Sequence, residues 1–495
     1  MTRTKSPWLT KSRYISGLQC PKRLWNEVNA PLEEELPDSV AFVFGRTFDQ
    51  VVQMMEPGVV ISREDGLPAA IQETSKRLLD ASAAVLFQPA FRHGQLAVIA
   101  DILRRHGRDR YDLVEVKAST KVKEEHVPDV AFQTMVLRGA QIGVKRAFIG
   151  HVNNEFVLKR EGDYRGLLVE DDVTRQVDDL QKEVEATAED LLGVMRRKTA
   201  PSVEMRGQCR SPYECPFIPR CARARGPEIK YPIDLLPRGG KVIEELAADG
   251  YEDLRDVPAG RLASPMHRRV HAATVSGRPF FDTSAATELR KLKGLKAYLD
   301  FETIQFSVPE LVGTRPYEQL PFQWSLHVED ARGELVHAEH LSIETFGNFD
   351  VLARELLAAV PAKGPVFAYN AGFEKRILNG LATWLPVQAP ALGSLAERLV
   401  DLLPVTQQAY YHRDMLGSWS IKNVLPTIAP ELAYSTLGGV RGGEAAQMAF
   451  LELRGLEVSV ARRYKLRQEL LNYCRRDTLG MVVLRRFLCE EPLDL

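Results

Sequence analysis

The sequence lacks the features that would place it in a membrane or outside the cell. Its 495 residues contain no apolar run of the roughly 18 residues that a transmembrane helix needs. The first residues, MTRTKSPWLTKSRYIS, are polar and basic, unlike a signal peptide. Six cysteines are too few for a secreted disulfide framework in a chain of this length. We therefore expect a cytoplasmic protein with no membrane partner, in which clustered thiols are metal ligands.

An excess of charge is also lacking. The 65 lysines and arginines and the 66 acids leave a formal net charge of -1. Overall charge therefore gives no reason to expect a polyanion as partner, and any contact with nucleic acid must come from local basic patches. A chain of this length is expected to form two or three domains.

The periodicity of apolar residues predicts an α/β domain over residues 1–226. A helix at 39–55 is followed by three strands (84–91, 95–103 and 111–119), a helix at 130–142 and a fourth strand at 146–152, in the order α-β-β-β-α-β. A long charged helix at 172–198 leads to a cysteine-rich stretch.

The remaining chain separates into two regions. Residues 227–292 are rich in Pro, Gly and short helical patterns, which favour a helical connector or a helix-hairpin-helix that contacts a phosphate backbone. A second α/β pattern fills residues 293–495 and ends in a long helix at 458–489. Its element order differs from that of the first domain, so we do not expect a duplication.

Asp101, Glu115 and Lys117 form the first candidate site. Alternate residues of a strand face the same way, so Glu115 and Lys117 point together, and Asp101 can join them if its strand is the neighbour. Two carboxylates can hold Mg²⁺ or Mn²⁺ through oxygen ligands, while a lysine stabilises the charge that develops in phosphodiester hydrolysis. Cross-strand ion pairs have the same spacing, however. The pattern alone leaves both interpretations open.

With a helix bearing Gln133 after this pattern, residues 15–222 resemble the PD-(D/E)XK nucleases of the RecB family, and in particular the iron–sulfur type found in CRISPR-adaptation exonucleases and AddB-type helicase–nucleases. The resemblance implies a restriction-endonuclease-like fold. The implied catalytic residues are Asp101, Glu115, Lys117 and Gln133. Where family members often carry Gly-x-x-x-His, this sequence has Gly45 and Asp49, which makes Asp49 an oxygen ligand for metal beside Asp101 and Glu115. The family tyrosine four positions after Gln133 is Leu137 here.

Four cysteines bracket this domain. Cys20 precedes a proline, and Cys209, Cys215 and Cys221 follow with five residues between neighbours. Four thiolates can bind either a tetrahedral zinc ion or a 4Fe–4S cluster, and the spacing does not choose between them. The resemblance favours the cluster. The other two cysteines lie on the final helix, where we expect ordinary buried residues: Cys474 and Cys489.

A second set of acids lies in residues 293–495. Asp300 and Glu302 share one face of a strand, Glu374 begins a helix, and Tyr473 and Asp477 share one face of the final helix. Acids from two strands and two helices can surround two metal ions about 4 Å apart, an arrangement suited to in-line phosphodiester displacement. Each of these acids, taken alone, could equally be a solvated surface residue.

Taken together and in this order, these residues resemble the tyrosine subclass of the DEDD exonucleases, over residues 296–488. The resemblance implies an RNase H-like fold and 3′→5′ removal of nucleotides. It implies that Asp300, Glu302, Glu374 and Asp477 bind metal and that Tyr473 orients the water nucleophile. Glu374 replaces the usual aspartate. Asp401 is a further nearby acid, and the loop with Ser420 and Lys422 is expected to face the substrate.

The sequence therefore predicts a nuclease with two metal-dependent sites, acting on DNA rather than RNA, with a helicase or a defence or repair protein as partner. The whole chain resembles a bacterial family that fuses these two domains. Three alternatives stay open. One site is active while the other is a nucleic-acid scaffold, or the protein is a non-catalytic redox-sensing adaptor, or the second domain processes RNA.

Overall fold

The computed structural model describes residues 8–33, 38–107, 110–225 and 229–493. The chain forms two units. The first unit comprises Met1–Glu228 and Phe306–Glu318, and the second comprises Ile229–Gln305 and Gln319–Leu495. Nearly all of the predicted connector at 227–292 therefore groups with the second unit. No helix in the described ranges is both long enough and apolar enough to cross a membrane.

The first unit combines two sheets with seven α-helices in its described part. The helices are α1 (Lys11–Gln19), α2 (Pro21–Asn29), α3 (Val40–Met55), α4 (Leu67–Leu79), α5 (His126–Gly139), α6 (Thr174–Arg196) and α7 (Ile218–Arg225). The strands are β1 (Leu9–Thr10), β2 (Val59–Val60), β3 (Val85–Phe87), β4 (Ala90–His93), β5 (Leu96–Ile99), β6 (Ile102–Arg105), β7 (Arg110–Lys117), β8 (Gly143–Val152) and β9 (Leu168–Asp172). Six strands form a sheet in the order β2-β3-β6-β7-β8-β9, and three form a sheet in the order β1-β5-β4.

The helices predicted at 39–55, 130–142 and 172–198 are confirmed as α3, α5 and α6, with ends that differ by a few residues. Ser39 begins α3 because its hydroxyl accepts a hydrogen bond from the amide of Phe42 at 3.2 Å, which satisfies a helix donor that would otherwise be free. Strand β7 is buried over Tyr111, Leu113 and the residues between them because it lies inside the six-stranded sheet.

Two of the predicted strands are wrong as single elements. The stretch at 84–91 divides into β3 and β4 because Gln88 adopts a left-handed conformation with φ 57°. The stretch at 95–103 divides into β5 and β6 at Ala100 and Asp101. At both points the chain passes from one sheet to the other. Apolar residues continue through both breaks, so periodicity gives no sign of them.

The second unit contains a five-stranded sheet, β13-β12-β11-β14-β15, and a small pair, β10-β16. Its strands are β10 (Phe280–Phe281), β11 (Lys296–Ile304), β12 (Leu320–Glu329), β13 (Leu335–Leu341), β14 (Val366–Ala368), β15 (Leu399–Asp401) and β16 (Tyr410–Tyr411). Its α-helices are α8 (Gly240–Ala248), α9 (Pro265–Ser276), α10 (Thr287–Lys291), α11 (Phe349–Ala359), α12 (Gly372–Trp384), α13 (Ala389–Glu397), α14 (Leu402–Ala409), α15 (Ile421–Ile428), α16 (Gly443–Arg454) and α17 (Val460–Cys489).

Strand β11 is the centre of this sheet. It is antiparallel to β12 and parallel to β14, which is in turn parallel to β15. The carboxyl ends of the three parallel strands therefore meet at one edge. Helix α17 covers β12 through a hydrogen bond of 3.0 Å from Gln323 Nε2 to the carbonyl of Leu470, and through the hydroxyls of Ser325 and Thr478 at 2.8 Å. The predicted final helix is confirmed.

The segment between β11 and β12 packs into the first unit. The Ser307 hydroxyl donates to the carbonyl of Phe44 at 2.8 Å, and the Tyr317 hydroxyl donates to the carbonyl of Ala118 at 2.6 Å. Val308 joins an apolar cluster that also contains residues of α3 and β7. The first unit is thus completed by a segment from far along the chain.

Candidate functional site

The first site forms where β7 ends. Asp101 Oδ2 accepts a hydrogen bond of 2.7 Å from the amide of Val116, which holds the aspartate between Glu115 and Lys117. Lys117 Nζ donates to Glu115 Oε1 at 2.6 Å. The structure therefore brings together the three residues singled out from the sequence pattern.

Two residues that the sequence pattern did not reveal complete this lysine–acid cluster, which we define as Lys11, Asp101, Glu115, Lys117 and Asp129. Lys11 Nζ, in the first turn of α1, lies 2.8 and 3.0 Å from the two oxygens of Glu115 and 4.0 Å from Asp101 Oδ1. Asp129, in the first turn of α5, accepts from Lys117 Nζ at 2.6 Å. Asp129 could have been found from its place one turn before Gln133 on the same helix.

Gln133 and Asp49 border this cluster. Gln133 is fully buried, and its Nε2 donates to Glu115 Oε2 at 2.7 Å and to Asp129 Oδ1 at 3.1 Å. Its Oε1 is buried without a hydrogen-bond partner. Asp49 lies on α3, where burial and the charge of Glu115 raise its pKa to about 6. Leu137, one turn after Gln133 on α5, belongs to the apolar core.

The pKa values of Glu115 and Asp101, two acids of the lysine–acid cluster, are shifted in opposite directions. Burial alone would raise the pKa of Glu115, but the ammonium groups of Lys11 and Lys117 outweigh it and hold that pKa well below its usual range. Burial and the neighbouring Glu115 charge raise the pKa of Asp101 well above its usual range. A cation held by Asp101 and Glu115 would therefore compete with the Lys11 ammonium for the same oxygens.

The four bracketing cysteines line a single pocket, which we call the cysteine pocket: Cys20, Cys209, Cys215 and Cys221. Cys20 is the residue between α1 and α2. Gln19, just before it, donates to the carbonyls of Gln208 and Tyr213 at 2.7 and 2.6 Å, which holds the end of α1 against the distant cysteine loop. The donor set fits a thiolate-bound metal group.

The four thiols of the cysteine pocket can bind either a tetrahedral zinc ion or a 4Fe–4S cluster. Elsewhere in the described residues, ligand atoms of Asp300, Glu302 and Cys474 lie within 4.8 Å of one another.

The second site lies on β11 under α17. Asp300 and Glu302 share the face of β11 that α17 covers, paired across the sheet with Ser325 and Gln323. Glu302 is 8% exposed and Cys474 is 0% exposed. The sulfur of Cys474 lies 3.3 Å from Asp300 Oδ2. Cys474 is buried as expected, but its contact with a site carboxylate makes it more than an ordinary core residue.

Asp477 is held by a tyrosine that the sequence did not indicate. The Tyr434 hydroxyl donates to Asp477 Oδ1, and the Tyr434 ring packs edge-on against Tyr473 with centroids 6.1 Å apart. Tyr473 lies one turn before Asp477 on α17. Tyr434 sits in a short 3₁₀ turn 43 positions before Asp477, and no spacing rule joins the two.

Glu374 and Asp401 lie at the carboxyl ends of β14 and β15. Asn370, with φ 68°, turns the chain from β14 into α12, whose first turn carries Glu374. Glu374 is 2% exposed, and its Oε2 is buried without a hydrogen-bond partner. Asp401 Oδ1 accepts from the amides of Asn370 and Leu403, both at 2.9 Å, so it fixes the two loops at this edge.

Asp300, Glu302, Glu374 and Asp477 form what we call the four-acid cluster. Burial, followed by the charge of Asp477, raises the pKa of Glu302 to about 8 and that of Asp300 well above its usual range. Burial also raises the pKa of Glu374 to about 8 and that of Asp477 to about 6. Burial and the nearby acids therefore disfavour the ionised forms of these carboxyl groups.

Lys422 approaches the cluster from α15. Its Nζ lies 5.1 Å from the ring centroid of Tyr473 and 5.6 Å from that of Tyr434. Its charge lowers the pKa values of Glu302 and Asp477 against the effect of burial. The neighbouring Ser420 is exposed at the start of α15.

Comparison with known proteins gives limited matches. Residues 297–420 match a domain of unknown function, DUF2779. This range includes Asp300, Glu302 and Glu374 but ends before Tyr473 and Asp477. The chain is also similar to the uncharacterized protein MG366 homolog of Mycoplasma pneumoniae, with 28% identity over 221 residues, or 40% of this chain. The match spans 33% of that relative's length.

Proposed function

We propose that this protein is a metal-dependent nuclease whose principal centre is the four-acid cluster, acting as a 3′→5′ exonuclease on DNA in preference to RNA. One observation carries the proposal. Four buried carboxyl groups from β11, α12 and α17 converge at one sheet edge, where burial and their mutual repulsion outweigh the charge of the nearby Lys422. Like charges brought together in this way are stabilised by divalent cations with oxygen ligands.

The residues fit such ions. Glu374 Oε2 is buried with no partner, and Asp300 and Glu302 offer oxygens close together. The four acids would hold Mg²⁺ or Mn²⁺, which in such sites polarises the phosphate and stabilises the attacking and leaving oxygens. Burying several carboxyl groups together is unfavourable in free energy if they serve only the fold. A role as metal ligands explains why they are buried together here.

The surrounding side chains have their own roles in this proposal. Tyr473 orients the attacking water, and Tyr434 fixes the carboxylate of Asp477 through its hydroxyl. Lys422, beside both rings, neutralises charge on the phosphate. Positioning groups of this kind contribute by holding reactants in a productive geometry before the reaction begins.

We also propose a second phosphodiesterase centre in the first unit, with Asp101, Glu115 and Asp49 as metal ligands, Lys117 and Gln133 as catalytic residues, and a 4Fe–4S cluster in the cysteine pocket. The direct contacts of Glu115 with Lys117 and Gln133 support it. A helicase or a defence or repair protein would be the partner.

A specific observation favours a second candidate role for the first unit. Lys11 contacts both oxygens of Glu115, so this cluster already contains a cation where a metal would bind. The first unit would then be a nucleic-acid clamp rather than an active centre. Tight binding of single-stranded DNA by Asp101→Asn with unchanged hydrolysis by the whole protein would support the clamp.

The proposed function is tested by incubating the full chain with 5′-labelled single-stranded DNA or RNA and Mg²⁺ or Mn²⁺. We expect a ladder of products shortened from the 3′ end, which Asp300→Asn abolishes. Glu431→Gln, an exposed acid of the same unit, serves as the matched control and retains the ladder. Absence of any metal-stimulated hydrolysis of both polymers would contradict the proposal and favour a non-catalytic adaptor.

A further inference from the structure

One ligand atom in the four-acid cluster is not a carboxylate oxygen. The Cys474 thiol is fully buried, lies 3.3 Å from Asp300 Oδ2, and shares a 4.8 Å neighbourhood with ligand atoms of Asp300 and Glu302. We infer that Cys474 is a specificity-determining ligand that makes one cation position of this cluster select a borderline-soft divalent ion, such as Zn²⁺ or Co²⁺, over Mg²⁺. The inference rests on the proposed function because it assigns a ligand within the same cluster.

The spacing suits a shared ion. An ion with a 2.3 Å bond to sulfur and a bond of about 2.1 Å to oxygen separates those two atoms by about 3.1 to 3.6 Å for bond angles between 90° and tetrahedral. The Sγ–Oδ2 distance of 3.3 Å lies within that interval. The thiol and carboxylate are thus already placed as neighbouring ligands.

The position of the sulfur is fixed by the helix that carries it. One turn before Cys474, the carbonyl of Leu470 accepts from Gln323 at 3.0 Å. One turn after it, the hydroxyls of Thr478 and Ser325 lie 2.8 Å apart. Hydrogen bonds on both sides hold this part of α17 against the sheet, so the thiol cannot easily swing away from Asp300.

A second observation points to a ligand in the same cluster. Glu374 is 2% exposed and its Oε2 has no hydrogen-bond partner. A carboxylate oxygen buried without a partner is costly unless a ligand satisfies it. The unpartnered oxygen therefore supports a cation in this cluster, and the assignment of Cys474 as its ligand rests on the 3.3 Å contact with Asp300.

Ligand softness gives the direction of the selectivity. Thiolates favour zinc-like ions, whereas Mg²⁺ is held by oxygen ligands and gives up its waters reluctantly. Binding of the softer ion releases the thiol proton to solvent. Replacement of sulfur by a hydroxyl should therefore weaken Co²⁺ and Zn²⁺ binding while leaving Mg²⁺ binding nearly unchanged.

The test is an anaerobic titration of the full chain with Co²⁺, followed by thiolate-to-cobalt charge-transfer absorption, with Mg²⁺ affinity measured by calorimetry. Thiolates of the cysteine pocket contribute equally to every variant, so the signal is the difference between variants. We expect Cys474→Ser to lose part of the absorption and to lower the ratio of Co²⁺ to Mg²⁺ affinity by about tenfold. Asp300→Asn, which leaves the thiol in place, should lose the same part.

Cys489→Ser is the matched control because Cys489 is also buried on α17, fifteen positions further along. It should retain the full absorption. Identical spectra and affinity ratios for the wild type and Cys474→Ser would overturn the inference and leave the thiol as a hydrogen-bond donor. Failure of this inference can be distinguished from failure of the proposed nuclease function. A cobalt signal without hydrolysis rejects only the nuclease, and hydrolysis without the signal rejects only the cysteine ligand.

Discussion

Lys11 donates to both carboxylate oxygens of Glu115, at 2.8 and 3.0 Å, although 104 positions separate the two residues. The residue directly after the same short helix, α1, is Cys20 of the cysteine pocket. Helix α1 therefore carries Lys11 into the lysine–acid cluster at its first residue and is followed at once by a candidate metal ligand. A substitution of Lys11 should therefore alter the cysteine pocket, and a substitution of Cys20 should alter the lysine–acid cluster.

Removing the Lys11 ammonium should tighten divalent-cation binding in the first unit. Lys11→Met leaves Glu115 with one fewer positive neighbour, so the oxygens attract a cation more strongly. We expect the dissociation constant for Mn²⁺ at this site to fall by roughly tenfold, measured by calorimetry in an Asp300→Asn background. Lys76→Met, an exposed lysine of the same unit, should cause no change. Weaker Mn²⁺ binding by Lys11→Met would show that the lysine supports the site.

Anaerobically purified protein should contain iron and sulfide and absorb broadly at about 400 nm. Cys20→Ser should remove that band and lower the unfolding temperature of the first unit, because Cys20 ties α1 to the distant cysteine loop. Cys489→Ser should retain both properties. Stoichiometric zinc with no iron would contradict the cluster assignment.

The segment Phe306–Glu318 should be needed for a stable first unit. A fragment that ends at residue 228 lacks the Val308 side chain in the apolar cluster and the hydrogen bond from Tyr317 to Ala118. Within the full chain, Val308→Ala should cost the first unit about 2 kcal/mol, measured by denaturant unfolding. Val312→Ala, an exposed valine of the same segment, should cost little. A fragment of residues 1–228 as stable as the intact unit would refute this role.

Much of the fold follows from local patterns. Periodicity located α3, α5, α6, α17 and the long strands because each buries one face or both over many residues. Periodicity does not predict the strand breaks at Gln88 and Asp101, where the chain passes from one sheet to the other within an apolar run. Short-range spacing therefore predicts elements but not the point at which a strand leaves its sheet.

In the candidate sites too, sequence spacing predicts some contacts between residues and misses others. Glu115 with Lys117, and Asp300 with Glu302, could be paired from a strand spacing of two. Lys11 and Tyr434 could not, because each reaches its partner carboxylate only through the tertiary fold. A single sequence holds no rule that links residues 104 or 43 positions apart on unrelated elements.

Stability should fall in acid partly through Glu329. Burial alone would raise the pKa of Glu329, but the Tyr298 hydroxyl at 2.7 Å and the Arg485 guanidinium at 3.2 Å lower it below its usual value. A depressed folded-state pKa stabilises the fold above the unfolded pKa of about 4.3, and that contribution is lost as pH falls through the folded value. Glu329→Gln should cost about 3 kcal/mol at pH 7.

That difference between Glu329→Gln and the wild type should shrink as the pH falls below about 4. Glu334→Gln, an exposed acid on the same hairpin, is the control and should match the wild type at every pH. Denaturant unfolding between pH 7 and pH 3 measures all three proteins. A difference that stays constant with pH would show that Glu329 is not ionised in the fold.

Crystals soaked with Mn²⁺ and a nucleoside 5′-monophosphate, examined by anomalous scattering, would reveal whether the four-acid cluster binds catalytic metal. We predict a manganese peak at about 2.2 Å from carboxylate oxygens of Asp300 and Glu302, with the nucleotide phosphate as a further ligand. In Asp300→Asn crystals the peak should vanish. Manganese bound elsewhere in the wild type, with these carboxylates free of metal at saturating concentration, would contradict a metal-dependent nuclease at this site.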